Sequence, residues 1–387
     1  MDTKILISLV FNITKSIILP LLVSFIYTQG VKGSIGVNYG TMADNLPPPA
    51  KVARFLQHST IINRVRLFNA DPEMLRAFAG TGISITVTIP NDQIPRLTNL
   101  DFAQQWVKDN IVPHIGATYI TRILVGNEVL STTNKLLVLD LVPAMQTLHA
   151  ALVEESLDHE IKISTPHSLG ILFNSSPPST GKFRAGYDIY ILKPLLSFLQ
   201  ATSSPFMINP YPFFSCSTDT LDYALFRPTI GLLDENTNLI YSNMLDGQLD
   251  AIFSAIERLG FTDIDVVITE TGWPSRGDAG QSAVDAESAA EYNKKLIQHV
   301  TSGIGTPLMP NRTFETYIFA LFNEDLKPGP TGERNFGLFE PDLMPVYDIG
   351  ILKPKAANAA AKKIEHITNT ATCLCLLIVL CIFLMGF

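Results

Sequence analysis

Ile35-Gly-Val-Asn-Tyr-Gly-Thr-Met-Ala43 is the stretch on which the architecture turns. Ile35–Tyr39 reads as a strand, and Pro47-Pro48-Pro49 opens a helical pattern soon afterwards, proline's fixed φ being suited to a helix start. An open, doubly wound sheet usually carries a glycine-rich phosphate loop at this first strand-to-helix turn. Tyr39-Gly40-Thr41-Met42-Ala43 has no such fingerprint. The alternation nevertheless continues, with further strands expected at Arg64–Phe68, Ile83–Ile89, Arg122–Val125, Ile161–Thr165, Phe206–Asn209, Asp265–Thr269 and Tyr317–Phe322. Helical patterns fall between them, at Pro48–His58, Pro72–Ala79, Phe102–Val112, Leu139–Glu155, Leu192–Leu199, Gln248–Leu259 and Ala286–His299. The strand cores are apolar on consecutive positions, as expected of parallel strands covered on both faces. Eight strands alternating with helices predict an α/β fold, a single (β/α)8 TIM barrel.

The composition suits that size of core. Of 387 residues, 47% are hydrophobic and only 17% charged, with a formal net charge of −8. Nucleic acid would demand clustered Lys and Arg, so no nucleic-acid partner is expected; a neutral ligand is. No His-Glu-x-x-His or Cys-x-x-Cys pair supports a zinc site, and no Gly-x-Ser-x-Gly elbow occurs. Ser179-Thr-Gly-Lys182 lacks the leading Gly and following Ser/Thr of a phosphate loop, and Gly303-Ile-Gly305 lacks a third Gly. No cofactor or metal is expected, and a monomer is.

Both ends read as processing signals. Lys4 and Lys15 precede the apolar run Ile17 to Tyr27 and the small residues Gly30 and Gly33, which predicts a secretory signal at 1–33. That run is about half the roughly 20 apolar residues a membrane span needs. At the other end, Asn358-Ala359-Ala360, a spacer with Lys362, Lys363, Glu365 and His366, and the apolar run Cys373 to Phe387 have the order of a glycosylphosphatidylinositol attachment signal. Asn358 is the expected attachment site, with 359–387 removed and the domain 34–358 held at the outer face of the plasma membrane; a permanent tail anchor is the alternative. Three of the four cysteines lie in that tail, leaving Cys216 alone in the domain, where a lone cysteine is ordinarily an inert packing residue. Asn174 and Asn311 head sequons expected to face the exterior; Asn12 heads another within the signal.

In a barrel, reacting groups sit at the C-terminal strand ends. Arg122-Ile-Leu-Val-Gly-Asn-Glu128 and Asp265-Val-Val-Ile-Thr-Glu-Thr-Gly-Trp-Pro274 each place a Glu where an apolar strand emerges. One such Glu could cap a helix or pair with Arg. Two facing each other across a barrel mouth match glycoside hydrolysis, which needs one protonated and one ionised carboxyl, about 5–5.5 Å apart when configuration is retained.

Five ordered segments carry a resemblance. Ile35-Gly-Val-Asn-Tyr-Gly40, Val125-Gly-Asn-Glu128, Ile208-Asn-Pro-Tyr-Pro212, Ile268-Thr-Glu-Thr-Gly-Trp-Pro-Ser275 and Phe319-Ala-Leu-Phe-Asn-Glu324, followed by Glu333-Arg-Asn-Phe-Gly-Leu-Phe339, resemble plant β-1,3-glucanases of glycoside hydrolase family 17. The resemblance implies a (β/α)8 fold and endo-hydrolysis of β-1,3-glucan with retention. It implies Glu128 as acid/base, Glu270 as nucleophile and a supporting group at Glu324, Lys327 and Glu333. By resemblance to related barrels, Asn127 would bond the sugar 2-hydroxyl. Tyr39, Asn209, Tyr211, Trp273 and Phe336 lie in or beside the motifs and are the remaining substrate-binding candidates. Glu324, Lys327 and Glu333 read first as an ion-pair network at the mouth rather than as direct catalytic groups, and like-charge repulsion would help keep Glu128 protonated while Lys327 favours ionisation nearby. His167 is expected to be a satisfied structural histidine. The stretch Phe183 to Ile191 and the region before Cys216 depart from the familiar pattern, and no Cys-rich carbohydrate-binding module separates barrel from tail as in many anchored relatives. A transglycosylase using the same carboxyls and a non-catalytic glucan-binding surface protein are the alternative readings.

Overall fold

The computed structural model describes residues 35–354; the expected signal segment and the expected anchor site Asn358 lie outside the described residues. Every expected strand is present: β1 Ile35–Tyr39, β2 Arg64–Leu67, β3 Ser84–Ile89, β4 Ile120–Val125, β5 Lys162–Ser164, β9 Phe206–Asn209, β12 Val266–Thr271 and β13 Thr316–Ile318. The helices that cover them are α1 Pro49–Ser59, α2 Pro72–Ala77, α3 Leu100–Asn110, α4 Lys135–Glu154, α5 Lys193–Thr202, α6 Met244–Arg258 and α7 Ala286–Val300. Side-chain caps fix several starts: Asp71 accepts from the N–H groups of Glu73 and Met74 ahead of α2, and Asn134 from Leu136 and Leu137 ahead of α4. The Asn134 cap explains why α4 begins four residues before the apolar pattern. By length and composition α4 could cross a membrane, but half of it is buried on the barrel, which marks it as a core helix.

Parallel pairing runs β5-β4-β3-β2-β1-β13-β12-β9-β6. The ninth strand was not anticipated: β6, Pro166–Ser168, continues β5 after the single residue Thr165. β5 pairs with β4, whereas β6 pairs with β9. One stave therefore serves both neighbours in turn, and the sheet closes through it. Pro166 has no N–H to donate, so the ladder breaks there.

Side chains alternate across the staves with period two. Ile123, Ile208, Ile268 and Ile318 belong to the large cluster under the helices, whereas Leu124, Met207, Val267 and Tyr317 form a separate small cluster inside the barrel. Substituting such residues by Ala typically costs about 2–5 kcal/mol. The inner plug has polar layers at both ends. Arg64, Arg122 and Glu315 lie towards the strand starts, and Asn38, Arg66, Asn209 and Glu270 towards the strand ends.

Two antiparallel hairpins stand outside the barrel sheet. β7 Leu172–Asn174 pairs with β8 Lys182–Phe183, and β10 Leu232–Asp234 with β11 Leu239–Tyr241. Asn174 and Asn311 are both exposed.

Candidate active site

β4 ends in Val125-Gly126-Asn127-Glu128, and the backbone there is tightly specified. Gly126 has φ 71° and Glu128 φ 51°, the latter a conformation non-glycine residues adopt at a cost. A Cβ on Gly126 would strike Asn91 and Val129. Asn91 clamps the turn from both sides, accepting from the Asn127 N–H at 2.7 Å and donating to the Asn127 carbonyl at 3.1 Å. The Glu128 N–H donates to the Pro166 carbonyl at 3.0 Å, so the split stave also fixes this corner.

Glu128 and Glu270 line one cleft of about 630 Å³ together with Asn127, Asn209, Tyr211 and Phe336. Their surroundings differ. Glu270 is buried and accepts from Arg66 Nη1 at 2.5 Å and from the Tyr211 hydroxyl at 3.0 Å. Among the described residues Glu128 accepts only an amide N–H, from Asn209 at 2.8 Å. Burial pushes the Glu128 carboxyl above its ordinary range, and the Glu270 charge pushes it further; the Asn209 bond and the Arg66 charge oppose them. Burial also holds the Tyr211 hydroxyl far above its usual range, keeping it a neutral donor. One carboxylate thus has a guanidinium partner and its neighbour is biased towards the protonated form, the division of labour that acid-assisted nucleophilic displacement needs.

Arg66 is the group the sequence reading missed. It lies within β2, is fully buried, and also donates to Asn127 at 2.9 Å and approaches Asn38 and Thr88 at 3.4 Å. An Arg between apolar strand residues, Val65 and Leu67, was the available signal, because an unpaired charge is almost never buried. Phe68, Ser168, Phe214 and Ser215 line the cleft as well and were likewise not anticipated.

Glu324, Lys327 and Glu333 all reach the cleft. Glu324 is buried, accepts from the Met42 N–H at 2.9 Å, and lies so close to Gly40 that a Cβ there would overlap its carboxylate. Lys327 pairs with Glu333 at 3.2 Å and sits 4.1 Å from the centre of the Phe319 ring. The cation beside the central carboxylates is therefore Arg66, with Lys327 paired at the rim.

Two expected sugar contacts are core residues instead. Tyr39 is 2% exposed and packs edge-on to Phe322. Trp273 is fully buried, donates from Nε1 to the Ala283 carbonyl at 2.6 Å, and packs between Phe213 and Tyr292. Each strand-end ring turns inwards because the helix layer beneath offers it more apolar contact than the cleft. His167 is structural but not satisfied: neither ring nitrogen has a partner among the described residues, and burial lowers its pKa to about 3. Cys216 is half-buried with its thiol 3.4 Å from the Phe213 carbonyl, and burial pushes the thiol up, which suits an unreactive packing role.

Comparison with known proteins places this geometry among related chains. The family model for glycosyl hydrolases family 17 matches residues 35–351. A glucan endo-1,3-β-glucosidase of Triticum aestivum is 50% identical over 330 residues, covering 84% of this chain and 71% of that relative. Glucan endo-1,3-β-glucosidase 7 of Arabidopsis thaliana is 47% identical over 329 residues, 84% of this chain and 65% of the relative. Among solved structures, CJP38, a β-1,3-glucanase and allergen of Cryptomeria japonica pollen, superimposes with a TM-score of 0.78 at 43% identity, covering 82% of this chain and 99% of the other. A plant β-glucan endohydrolase, from a study of two with distinct substrate specificities, gives 0.73 at 36% identity, covering 81% and 99%.

Proposed function

The chain belongs to glycosyl hydrolase family 17, and we propose that it cuts internal β-1,3-glucosidic bonds with retention, Glu128 serving as acid/base and Glu270 as nucleophile. It is a glycoside hydrolase, and β-1,3-glucan hydrolysis accords with its relatives. What carries the assignment of roles is the unequal pair in one cleft. Glu270 faces Arg66 and Tyr211, while Glu128 is held by Asn209 and biased towards its acid form.

In the first step the Glu128 carboxyl gives its proton to the leaving glycosidic oxygen as Glu270 attacks the anomeric carbon. The bond to the leaving sugar breaks as the glycosyl–Glu270 ester forms. Glu128, now a carboxylate, then takes a proton from water, whose oxygen displaces Glu270. Asn127 accepts from Arg66 through Oδ1, which orients its amide N–H groups for a sugar hydroxyl. Following the first-formed product of a β-1,3-glucan oligosaccharide by NMR tests this reading. The β anomer should appear first, and initial release of the α anomer would rule out the nucleophilic role of Glu270.

The lipid anchor belongs to the same proposal. Asn358-Ala359-Ala360, the polar spacer and the terminal apolar run support tethering to the outer face of the plasma membrane. Phosphatidylinositol-specific phospholipase C should release the protein from membranes; retention after treatment would favour a permanent span.

A further inference from the structure

A second cleft, of about 460 Å³, opens at the opposite end of the barrel, where the strands begin. The apolar plug of Leu124, Met207, Val267 and Tyr317 separates it from Glu128 and Glu270. Arg64, Arg122 and Lys162 line it along with Glu315. Arg122 and Lys162 are register partners on the parallel strands β4 and β5, so their side chains leave the same face of the sheet beside each other. Like charges so placed repel.

Among the described residues one carboxylate, Glu315, serves two of these three cations. Glu315 lies 2.8 Å from Arg122 and 3.7 Å from Arg64, and the Tyr317 hydroxyl also donates to it at 2.9 Å. Among the described residues Lys162 donates only to the Asp158 carbonyl, at 3.2 Å. The other acidic groups at the rim are engaged elsewhere, Asp265 with Arg312 at 2.5 Å and Asp263 with Gln200 at 2.7 Å. Arg122 is about nine-tenths buried, and of its three nitrogens only Nη1 has a hydrogen bond among the described residues; its Nε and that of Arg64 have none. Buried charge is ordinarily paired and hydrogen-bonded, and arginine forks fit tetrahedral oxyanions.

We propose that this cleft binds a small oxyanion of the phosphate or sulfate class between Arg64, Arg122 and Lys162, and that the anion stabilises the barrel base. Binding to the folded state alone raises the melting temperature by an amount that grows with the logarithm of ligand concentration above Kd. Inorganic phosphate, titrated against chloride at constant ionic strength, should raise the Tm of the intact protein by roughly 3 °C at about tenfold above its Kd. Arg122→Gln risks unfolding the barrel base, so Lys162→Gln is the deciding variant. It should fold, hydrolyse glucan at the parent's rate and lose the response to phosphate. A parent indifferent to phosphate, or a Lys162→Gln protein that responds as the parent does, would overturn the proposal.

Discussion

Arg66 Nη1 lies 2.5 Å from Glu270 Oε1, and neither side chain is more than a tenth exposed. Buried pairs lose more when one partner is removed than they gain when formed, because the remaining charge has no compensation. Arg66→Met should therefore cost about 3–5 kcal/mol of stability, measured by urea unfolding. Arg66→Lys keeps the charge but lacks the fork that spans Glu270 and Asn127. It should fold and lose roughly 100-fold in kcat, the scale of one preorganised electrostatic contact. A Lys variant with parental kcat would show that the fork plays no part in the reaction.

The elevated Glu128 carboxyl gives a signed pH dependence. Burial is the largest cause and the Glu270 charge the next. Replacing Glu270 by Gln removes the second, so carboxyl-selective NMR should show Glu128 titrating at lower pH than in the parent.

Stability follows the same linkage. A carboxyl raised on folding binds its proton more tightly in the native state, so its contribution is fully present below its unfolded value, near 4.5, and is lost as pH rises through the folded pKa. Glu128→Gln removes that loss. Its Tm should exceed the parent's at neutral pH and converge with it below about pH 4.5; a gain that persisted in acid would point to packing instead.

The strands could be read because buried parallel staves are apolar on consecutive positions, and Glu128 and Glu270 stood out as polar residues where such runs stop. The stave broken at Pro166 was harder, since Lys162–Ser164 and Pro166–Ser168 are each three residues long and only the closed sheet shows why both pair. Arg66 was missed because strand patterns report which positions are buried and not which partner arrives from β12, 204 residues away. Tyr39 and Trp273 were misplaced for a related reason. A motif marks a strand end, but the ring's direction is set by the helices packed beneath it.

Phe214 is 61% exposed on the cleft and packs within 5.2 Å of the Tyr211 ring and 6.4 Å of Phe336. A large ring left facing solvent beside a sugar cleft is positioned to stack on a glucose face. Phe214→Ala should raise KM for glucan by roughly tenfold, about 1.4 kcal/mol, with kcat nearly unchanged because the ring makes no hydrogen bond to either carboxylate. Steady-state kinetics on a soluble β-1,3-glucan distinguish this from a fall in kcat, which would assign Phe214 to holding Tyr211.

Trp273, three residues beyond Glu270 in the chain, and Tyr211, which bonds the Glu270 carboxylate, should fail in different ways. Trp273 is enclosed by Phe213 and Tyr292, and its indole N–H is already committed to Ala283. Trp273→Ala should lower stability by about 3–5 kcal/mol, leaving KM for glucan unchanged in whatever fraction folds. Tyr211 instead donates to Glu270 Oε2 at 3.0 Å, a bond to a charged acceptor of the kind that contributes about 1.5–3 kcal/mol. Tyr211→Phe keeps the ring against Phe336 and removes only that donor. It should lose no more than about 1.5–3 kcal/mol of stability while kcat falls at least about tenfold. Urea unfolding and steady-state rates on both variants separate the two roles, and a Trp273→Ala protein of parental stability would return that ring to the substrate.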